Sequence, residues 1–283
     1  MAILMKGKAL SEKIRAQIQE EIKSLEPKPT LGVIMVGDNP ASKIYVSKKK
    51  EALESAGASF HLVSMSQEIQ QAELEGQIEN FNQNPLVNGI LVQLPLPSHI
   101  NTHNILQKVL PQKDVDGFHP VNVGRLSMGI QPYAISCTPY GIIRLLEEYQ
   151  IPIEGKHAVI VGRSNIVGKP LASLLLNKNA TVTICHSKTH GLASFCQQAD
   201  ILVAAVGVPK LIQASFVKEG AVVIDVGINR TSEGKVTGDV DFTEVEKKAG
   251  YITPVPGGVG NMTIAMLFSN LVNLYRIQNS NSN

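Results

Sequence analysis

The run KIYVSKKK offers the first side chains with chemistry to do. Tyr45 and Lys49 stand four residues apart, so on a helix they share a face. Lys48, Lys49 and Lys50 form a basic run. On a solvated face such a run is only surface charge. Facing a cleft beside a tyrosine, one of these lysines becomes a proton-transfer group, because neighbouring cations and partial desolvation both favour the neutral amine. Spacing alone does not choose Lys49 over Lys48. Gln93 follows the apolar run GILV and precedes Leu94-Pro95-Leu96-Pro97. That puts it at the carboxyl end of a strand, where open parallel sheets hold their ligands; a loop-capping amide is the plainer reading. Lys113-Asp114-Val115-Asp116-Gly117 carries two carboxylates. Asp116-Gly117 reads equally as a turn and Asp114 as a local cap. A carboxylate there can also accept two parallel hydrogen bonds from an amidine-like ring edge.

A second chemistry-bearing stretch is HAVIVGRSNIVGKPLASLLL, from His157 to Leu176. A β-branched run ends at Gly162, and Leu171, Leu174 and Leu175 then recur at helical spacing. A strand, a glycine-bearing turn and a helix in that order set backbone N–H groups where the helix dipole favours an anion. The motif is not G-x-G-x-x-G: Ser164 takes the middle position, and Gly168 comes one residue late. The next strand, Thr181 to Cys185, leads into His186-Ser187-Lys188-Thr189. A carboxylate for a ribose hydroxyl is missing there, and Arg163 stands in the turn. A basic, hydroxyl-rich pocket suits a 2′-phosphate, which favours NADP over NAD. A third stretch, Pro254-Val255-Pro256-Gly257-Gly258-Val259-Gly260-Asn261, precedes a helix. Its glycines indicate close backbone approach, either in packing or to a substrate.

The elements that must position these groups alternate. Helical spacing is expected from Leu10 to Leu25, Ala41 to Ser55, Leu74 to Phe81 and Ile100 to Leu110, and strands at Thr30–Val36, Ser59–Val63 and Gly89–Leu94. In the second half, a helix opens at Cys137-Thr138-Pro139, and further strands follow at Ile201–Val206, Ala221–Val226 and Tyr251–Thr253. A last helix is expected over roughly Ile264 to Tyr275, with a polar tail over 278–283. This is an α/β pattern with parallel sheets covered on both faces. A boundary near residue 138 divides a first domain, 1–138, from a nucleotide-binding domain, 139–261, and the terminal helix, 262–283, is expected to return to the first.

Composition narrows the function classes. The chain has 283 residues, enough for two cores, and a net charge of +2, which provides no field for nucleic acid. It has no tryptophan and 5% aromatic residues, which disfavours base-stacking platforms. Cys137, Cys185 and Cys196 lack CxxC spacing, and the seven histidines show no HExxH, so neither disulfides nor a metal is expected. MAILMKGKAL is too short for a signal peptide, and no apolar run is long enough to span a membrane; the cytoplasm is expected.

Taken in order, LGVIMVGDNPASKIYVSKKK, GILVQLPLP, KDVDGFHP, SCTPYG, VIVGRSNIVGKP, TVTICHSKT, DVGINR and PVPGGVGNMT cover nearly the whole chain. Together they resemble the bifunctional methylenetetrahydrofolate dehydrogenase/methenyltetrahydrofolate cyclohydrolase family. The resemblance implies an N-terminal α/β substrate domain of the amino-acid dehydrogenase type, a Rossmann NADP-binding domain, an active site in the cleft between them, and a homodimer. It implies NADP-dependent oxidation of 5,10-methylenetetrahydrofolate and hydrolysis of the methenyl product to 10-formyltetrahydrofolate, both steps of one-carbon metabolism. It makes Lys49 the main catalytic group, Tyr45 the residue that stacks on and orients the folate, Gln93 the partner of Lys49, and Asp116 the ligand of the pterin edge. Gly162, Arg163, Ser164, Ser187 and Ile228 match cofactor contacts, and Pro256, Gly257 and Gly258 substrate contacts. Two positions depart from the family's usual pattern: Asn261 stands in place of proline after GGVG, and Lys210 in place of glycine after Pro209. A dehydrogenase of the same architecture acting on an amino or hydroxy acid, and a non-catalytic nucleotide-binding module, are the rivals. Neither has a use for Tyr45, Lys49, Gln93 and Asp116 as a set.

Overall fold

The computed structural model describes residues 1–230 and 234–280. In chain order the first elements are β1 (Ile3–Leu4), α1 (Gly7–Lys23), β2 (Thr30–Val36), α2 (Pro40–Ser55), β3 (Ser59–Met65), α3 (Gln71–Gln83) and β4 (Gly89–Val92). Then come α4 (Thr102–Leu106), α5 (Pro120–Ser127), α6 (Cys137–Glu148), β5 (His157–Val161), α7 (Gly168–Leu176) and β6 (Thr181–Cys185). The rest are α8 (Leu192–Cys196), β7 (Ile201–Ala204), β8 (Val222–Asp225), β9 (Asn229–Arg230), β10 (Val236–Thr237), α9 (Phe242–Val245), β11 (Tyr251–Ile252) and α10 (Gly260–Ser280).

The chain forms two compact units, one of Met1–Glu12 with Ser136–Met266, the other of Lys13–Ile135 with the chain from Leu267. The second is built on a parallel sheet in the order β3-β2-β4. Its central strand, TLGVIMV, is buried along almost its whole length, as expected of a strand covered on both faces. Ile34, Val36, Ile90 and Val92 pack with Leu74, Ile78 and Phe81 of α3 in one core. The edge strand β3 is largely exposed or half-buried. Within this unit Tyr275 of α10 donates its hydroxyl to the Glu26 carbonyl at 3.0 Å.

The other unit holds a six-stranded parallel sheet, β1-β11-β8-β7-β5-β6. Val159, Val161, Leu202, Ala204 and Val223 form its core with residues of the flanking loops and helices. A small antiparallel hairpin, β9 with β10, stands apart from the sheet. This order runs outward in both directions from β5 and β7, so the connections reverse there, and the turn after β5 lies at the reversal.

Three expectations need correction. Residues 1–12 do not belong with the first domain: Ile3 and Leu4 pair in register with Tyr251 and Ile252, which makes β1 an edge of the six-stranded sheet. A two-residue strand has no periodicity to read. The helix expected to Leu110 stops at Leu106, and Leu110 instead donates its backbone N–H to the Asn82 side chain at 3.1 Å. The last helix begins at Gly260, earlier than its apolar spacing indicates, and the boundary between units falls inside it. Residues 281–283 of the expected tail lie outside the described residues.

Candidate active site

Helix α2 fixes the first group of side chains. Asn39 accepts the Ser42 backbone N–H at 3.2 Å and Pro40 opens the helix, so its start is capped by side chain and ring together. Gly57, at φ +84°, follows its end. With both ends set, the orientation of the lysine run is set too. Lys48 and Lys50 are exposed, whereas Lys49 is half-buried. Its Nζ donates to Gln93 Oε1 at 3.1 Å. Gln93 sits just past β4, its backbone N–H bonded to Ile34 and its side-chain Nε2 to the Leu94 carbonyl at 2.7 Å. Tyr45, one turn before Lys49, leaves half of its surface exposed, at 50%. Beside the same strand ends a cavity of ≈ 240 Å³ is lined by Gly37, Asn39, Gln67 and Pro95 to Pro97.

The KDVDG loop is tied to this sheet rather than left as a free turn. Lys113 Nζ donates to the Phe81 and Asn84 carbonyls, capping the end of α3, and the Ile90 N–H bonds to the Lys113 carbonyl. Asp114 is buried and accepts His119 N–H at 2.8 Å and the Asn122 amide at 2.9 Å. It is therefore the cap of the two carboxylates. Asp116 feels the charge of Lys49. Burial pushes its carboxyl up to about 6, Lys49 pulls it down, and Asp114 pushes it up again. Lys49, Gln93 and Asp116 are thus brought together. Asn270, which sequence reasoning did not single out, holds the loop from α10: its amide donates to the Val115 and Ile135 carbonyls.

In the six-stranded unit, Gly162 (φ +133°) ends β5 in a conformation that favours glycine. A Cβ there would lie 2.2 Å from the Ala205 carbonyl, and one on Gly168 would lie 2.1 Å from the Gly162 carbonyl. Both glycines are required by chain-to-chain approach. Ser164 Oγ accepts the Val167 N–H at 3.1 Å, so it shapes the entry to α7. Arg163, Ser187 and Ile228 are exposed around these strand ends. His186-Ser187-Lys188-Thr189 follows β6, with Thr189 Oγ1 accepting the His186 N–H. The PGGVG run is partly accounted for by packing: Gly7 donates its N–H to the Gly257 carbonyl, and Gly258 is buried against Gly7. Pro256 remains exposed.

The departures from the family pattern also have geometry. Lys210 adopts φ +54°, a left-handed conformation, and its Nζ lies 3.5 Å from Asp241. Asn261 donates its amide to the Gly257 carbonyl at 3.3 Å within the first turn of α10. The three cysteines are buried. Among the described residues no helix is long and apolar enough to cross a membrane, and no three His, Cys, Asp or Glu side chains gather as a metal site.

Two family models match the chain. Residues 5–116 match the tetrahydrofolate dehydrogenase/cyclohydrolase catalytic domain, and residues 136–279 its NAD(P)-binding domain. The chain belongs to the tetrahydrofolate dehydrogenase/cyclohydrolase family. Within this family, the bifunctional protein FolD of Streptococcus thermophilus is 57% identical over 271 residues, covering 94% of this chain and 95% of that protein. Among solved structures, the bifunctional FolD methylenetetrahydrofolate dehydrogenase/cyclohydrolase of Campylobacter jejuni superposes with a TM-score of 0.95 at 49% identity, covering 98% of this chain and 99% of that one. The Trypanosoma brucei N5,N10-methylenetetrahydrofolate dehydrogenase-cyclohydrolase, solved with NADP and an inhibitor, superposes at 0.92 with 36% identity and 98% of each chain covered. The Lys49–Gln93 pair and Asp116 lie in the unit that holds the catalytic-domain match, and the Gly162 turn lies in the NAD(P)-binding domain.

Proposed function

We propose that this enzyme oxidises 5,10-methylenetetrahydrofolate with NADP and hydrolyses the methenyl product to 10-formyltetrahydrofolate, with Lys49 as its proton-transfer group. One observation carries the residue assignment. Of three consecutive lysines, only Lys49 is withdrawn from solvent, and its partner is a neutral amide 3.1 Å away. A carboxylate in that place would hold the lysine in its charged form.

NADP supplies the hydride acceptor. Gly162 and Gly168 keep the turn free of side chains, while Arg163 and Ser187 offer a cation and a hydroxyl with no carboxylate among His186–Thr189. That donor set fits a 2′-phosphate. Ile228 would pack on the cofactor and Ser164 would hold the turn that receives it. In the folate, loss of hydride from the methylene carbon leaves a cation shared with the flanking nitrogens. Water adds to that carbon, and Lys49 takes the proton released. Collapse of the adduct breaks the bond to N5, which takes up a proton, and leaves the formyl group on N10. Tyr45 would lie along the folate and Asp116 would accept from its pterin edge, with Pro256 and Gly257 as further contacts. Gly258 is better explained by its packing.

The test is spectroscopic. With methylenetetrahydrofolate and NADP, methenyl absorbance should rise and then decay. Lys49→Ala should slow hydrolysis of added methenyl substrate by about 10²–10⁴-fold and leave NADP binding intact. Hydrolysis at the parent rate in that variant would remove Lys49 from the mechanism. Equal activity with NAD and NADP would remove the role given to Arg163 and Ser187. A cytoplasmic homodimer is part of the same reading; light scattering at the 30.5 kDa of one chain would exclude the dimer.

A further inference from the structure

A fully buried carboxylate lies beneath the cofactor-side strand ends, and nothing in the proposed chemistry uses it. Asp239 is 0% exposed. Its Oδ2 accepts the backbone N–H groups of Val206 at 2.7 Å and Gly207 at 2.9 Å, on the loop after β7. Its Oδ1 accepts, at 2.9 Å, the side-chain amide of Asn229, the first residue of β9, where the loop after β8 ends. Asp225, at the end of β8, completes the junction. Its Oδ1 accepts Gly227 and Asp239 N–H and its Oδ2 accepts Val240 N–H, all at 2.9–3.0 Å.

The room for these carboxylates is made by glycine. A Cβ on Gly227 would lie 2.3 Å from Asp239 Oδ1, and one on Gly238 would lie 1.8 Å from Asp225 Oδ2. Among the described residues the partners of Asp239 are N–H donors and none is a cation. A buried carboxylate with these partners depends on every one of its donors staying aimed at it. The segments it joins lie at strand ends of the cofactor unit: Ala205, next to Val206, meets Gly162, and Ile228 adjoins Asn229 in the chain.

We propose that Asp239 is a positioning residue for the dinucleotide, a clamp that fixes the β7 and β8 loops in one mutual arrangement and so presents Ile228 and the Gly162 turn to NADP. This rests on the reading of the six-stranded unit as the NADP site. Asp239 does not touch the reacting atoms. Its effect falls on cofactor affinity and not on the chemistry done by Lys49.

The experiment measures NADP Kd by titration calorimetry and, separately, hydrolysis of methenyltetrahydrofolate, which consumes no NADP. The proteins are the parent, Asp239→Ala, Asp239→Asn and Asn229→Ala. Asp239→Ala strands several buried donors and should raise the NADP Kd about tenfold or more. Asp239→Asn should recover most of that loss, because its oxygen still accepts from Val206 and Gly207 while the Asn229 amide can turn over to meet its NH₂. Asn229→Ala should raise Kd about threefold. Hydrolysis should stay within about twofold of the parent in all three. An NADP Kd unchanged in Asp239→Ala overturns the proposal, as does a parallel loss of hydrolysis and NADP binding, which would mark a purely structural residue. Should Asp239→Ala fail to fold, Asn229→Ala decides: unchanged affinity overturns the clamp. A parent protein that neither binds NADP nor hydrolyses the methenyl substrate would instead overturn the proposed function.

Discussion

Lys49 donates to a glutamine whose amide is already pinned. Gln93 gives its Nε2 to the Leu94 carbonyl at 2.7 Å, so only its Oε1 faces the lysine, at 3.1 Å. The lysine meets an acceptor that carries no charge and cannot swing round to present a donor without breaking the bond to Leu94. Replacing Gln93 by glutamate keeps the shape and adds a charge. Gln93→Glu should therefore slow methenyl hydrolysis by about tenfold or more, because an ion pair would hold the Lys49 amine on the carboxylate and away from the folate. Gln93→Leu, which removes the acceptor without adding a charge, should slow it less; single-turnover decay of methenyl absorbance in the two variants checks the order.

Asp116 predicts a pH dependence of its own. Burial raises its carboxyl from the ordinary 3.8 to about 6. The pterin edge offers donors and needs the ionised form, so the KM for the folate should fall as pH rises through about 6 and then level off. In Asp116→Asn that inflection should vanish. Stability runs the other way: with the folded pKa above the unfolded one, this group's contribution is fully present below about 3.8 and lost as pH rises through about 6. Asp116→Asn should accordingly gain stability relative to the parent across that window, as read by thermal melts at several pH values.

The two glycines of the cofactor turn are each opposed by a backbone carbonyl, at 2.2 Å from Gly162 and 2.1 Å from Gly168. Backbone cannot step aside as a flexible side chain can. Gly162→Ala and Gly168→Ala should each destabilise by about 1–3 kcal/mol and weaken NADP binding by more than the loss of folded protein explains. Denaturant melts and NADP titrations on the same samples separate the two effects.

Lys210 shows how a single residue carries a cost that spacing conceals. At φ +54° a side chain is strained by about 1–2 kcal/mol, and glycine recovers that strain at an entropic cost of about 0.5–1 kcal/mol. The ion pair with Asp241 is exposed and adds little. Lys210→Gly should stabilise the protein by up to about 1 kcal/mol, seen as a small rise in Tm. A fall would mean that the lysine contributes something the strain does not outweigh.

Much of the fold could be read from the sequence because it rests on local pattern. β2 was bounded by residue because a buried run lies between proline and glycine punctuation, and the Gly162 turn because strand, glycines and helix stand in sequence. Spacing does not choose the lysine, because it places Lys48 and Lys49 only about 100° apart, and what separates them is contact with Gln93, 44 residues on and just past β4. Asp114 and Asp116 are alike in local sequence and differ in surroundings: one accepts His119 and Asn122, the other feels the charge of Lys49. Asp239 gave no signal, since an aspartate among glycine and valine reads as a turn. Its role comes from loops up to 33 residues upstream.

The edge of the six-stranded sheet has a consequence for assembly. Among the described residues β1 pairs as a strand with β11, through Ile3 with Tyr251 and Leu4 with Ile252. Those two short segments are separated by nearly the whole chain, so their pairing carries a large loop-closure cost and returns few hydrogen bonds. The outer border of the nucleotide sheet is therefore a thinly held seam, and it is there that a bulky N-terminal fusion would be felt first.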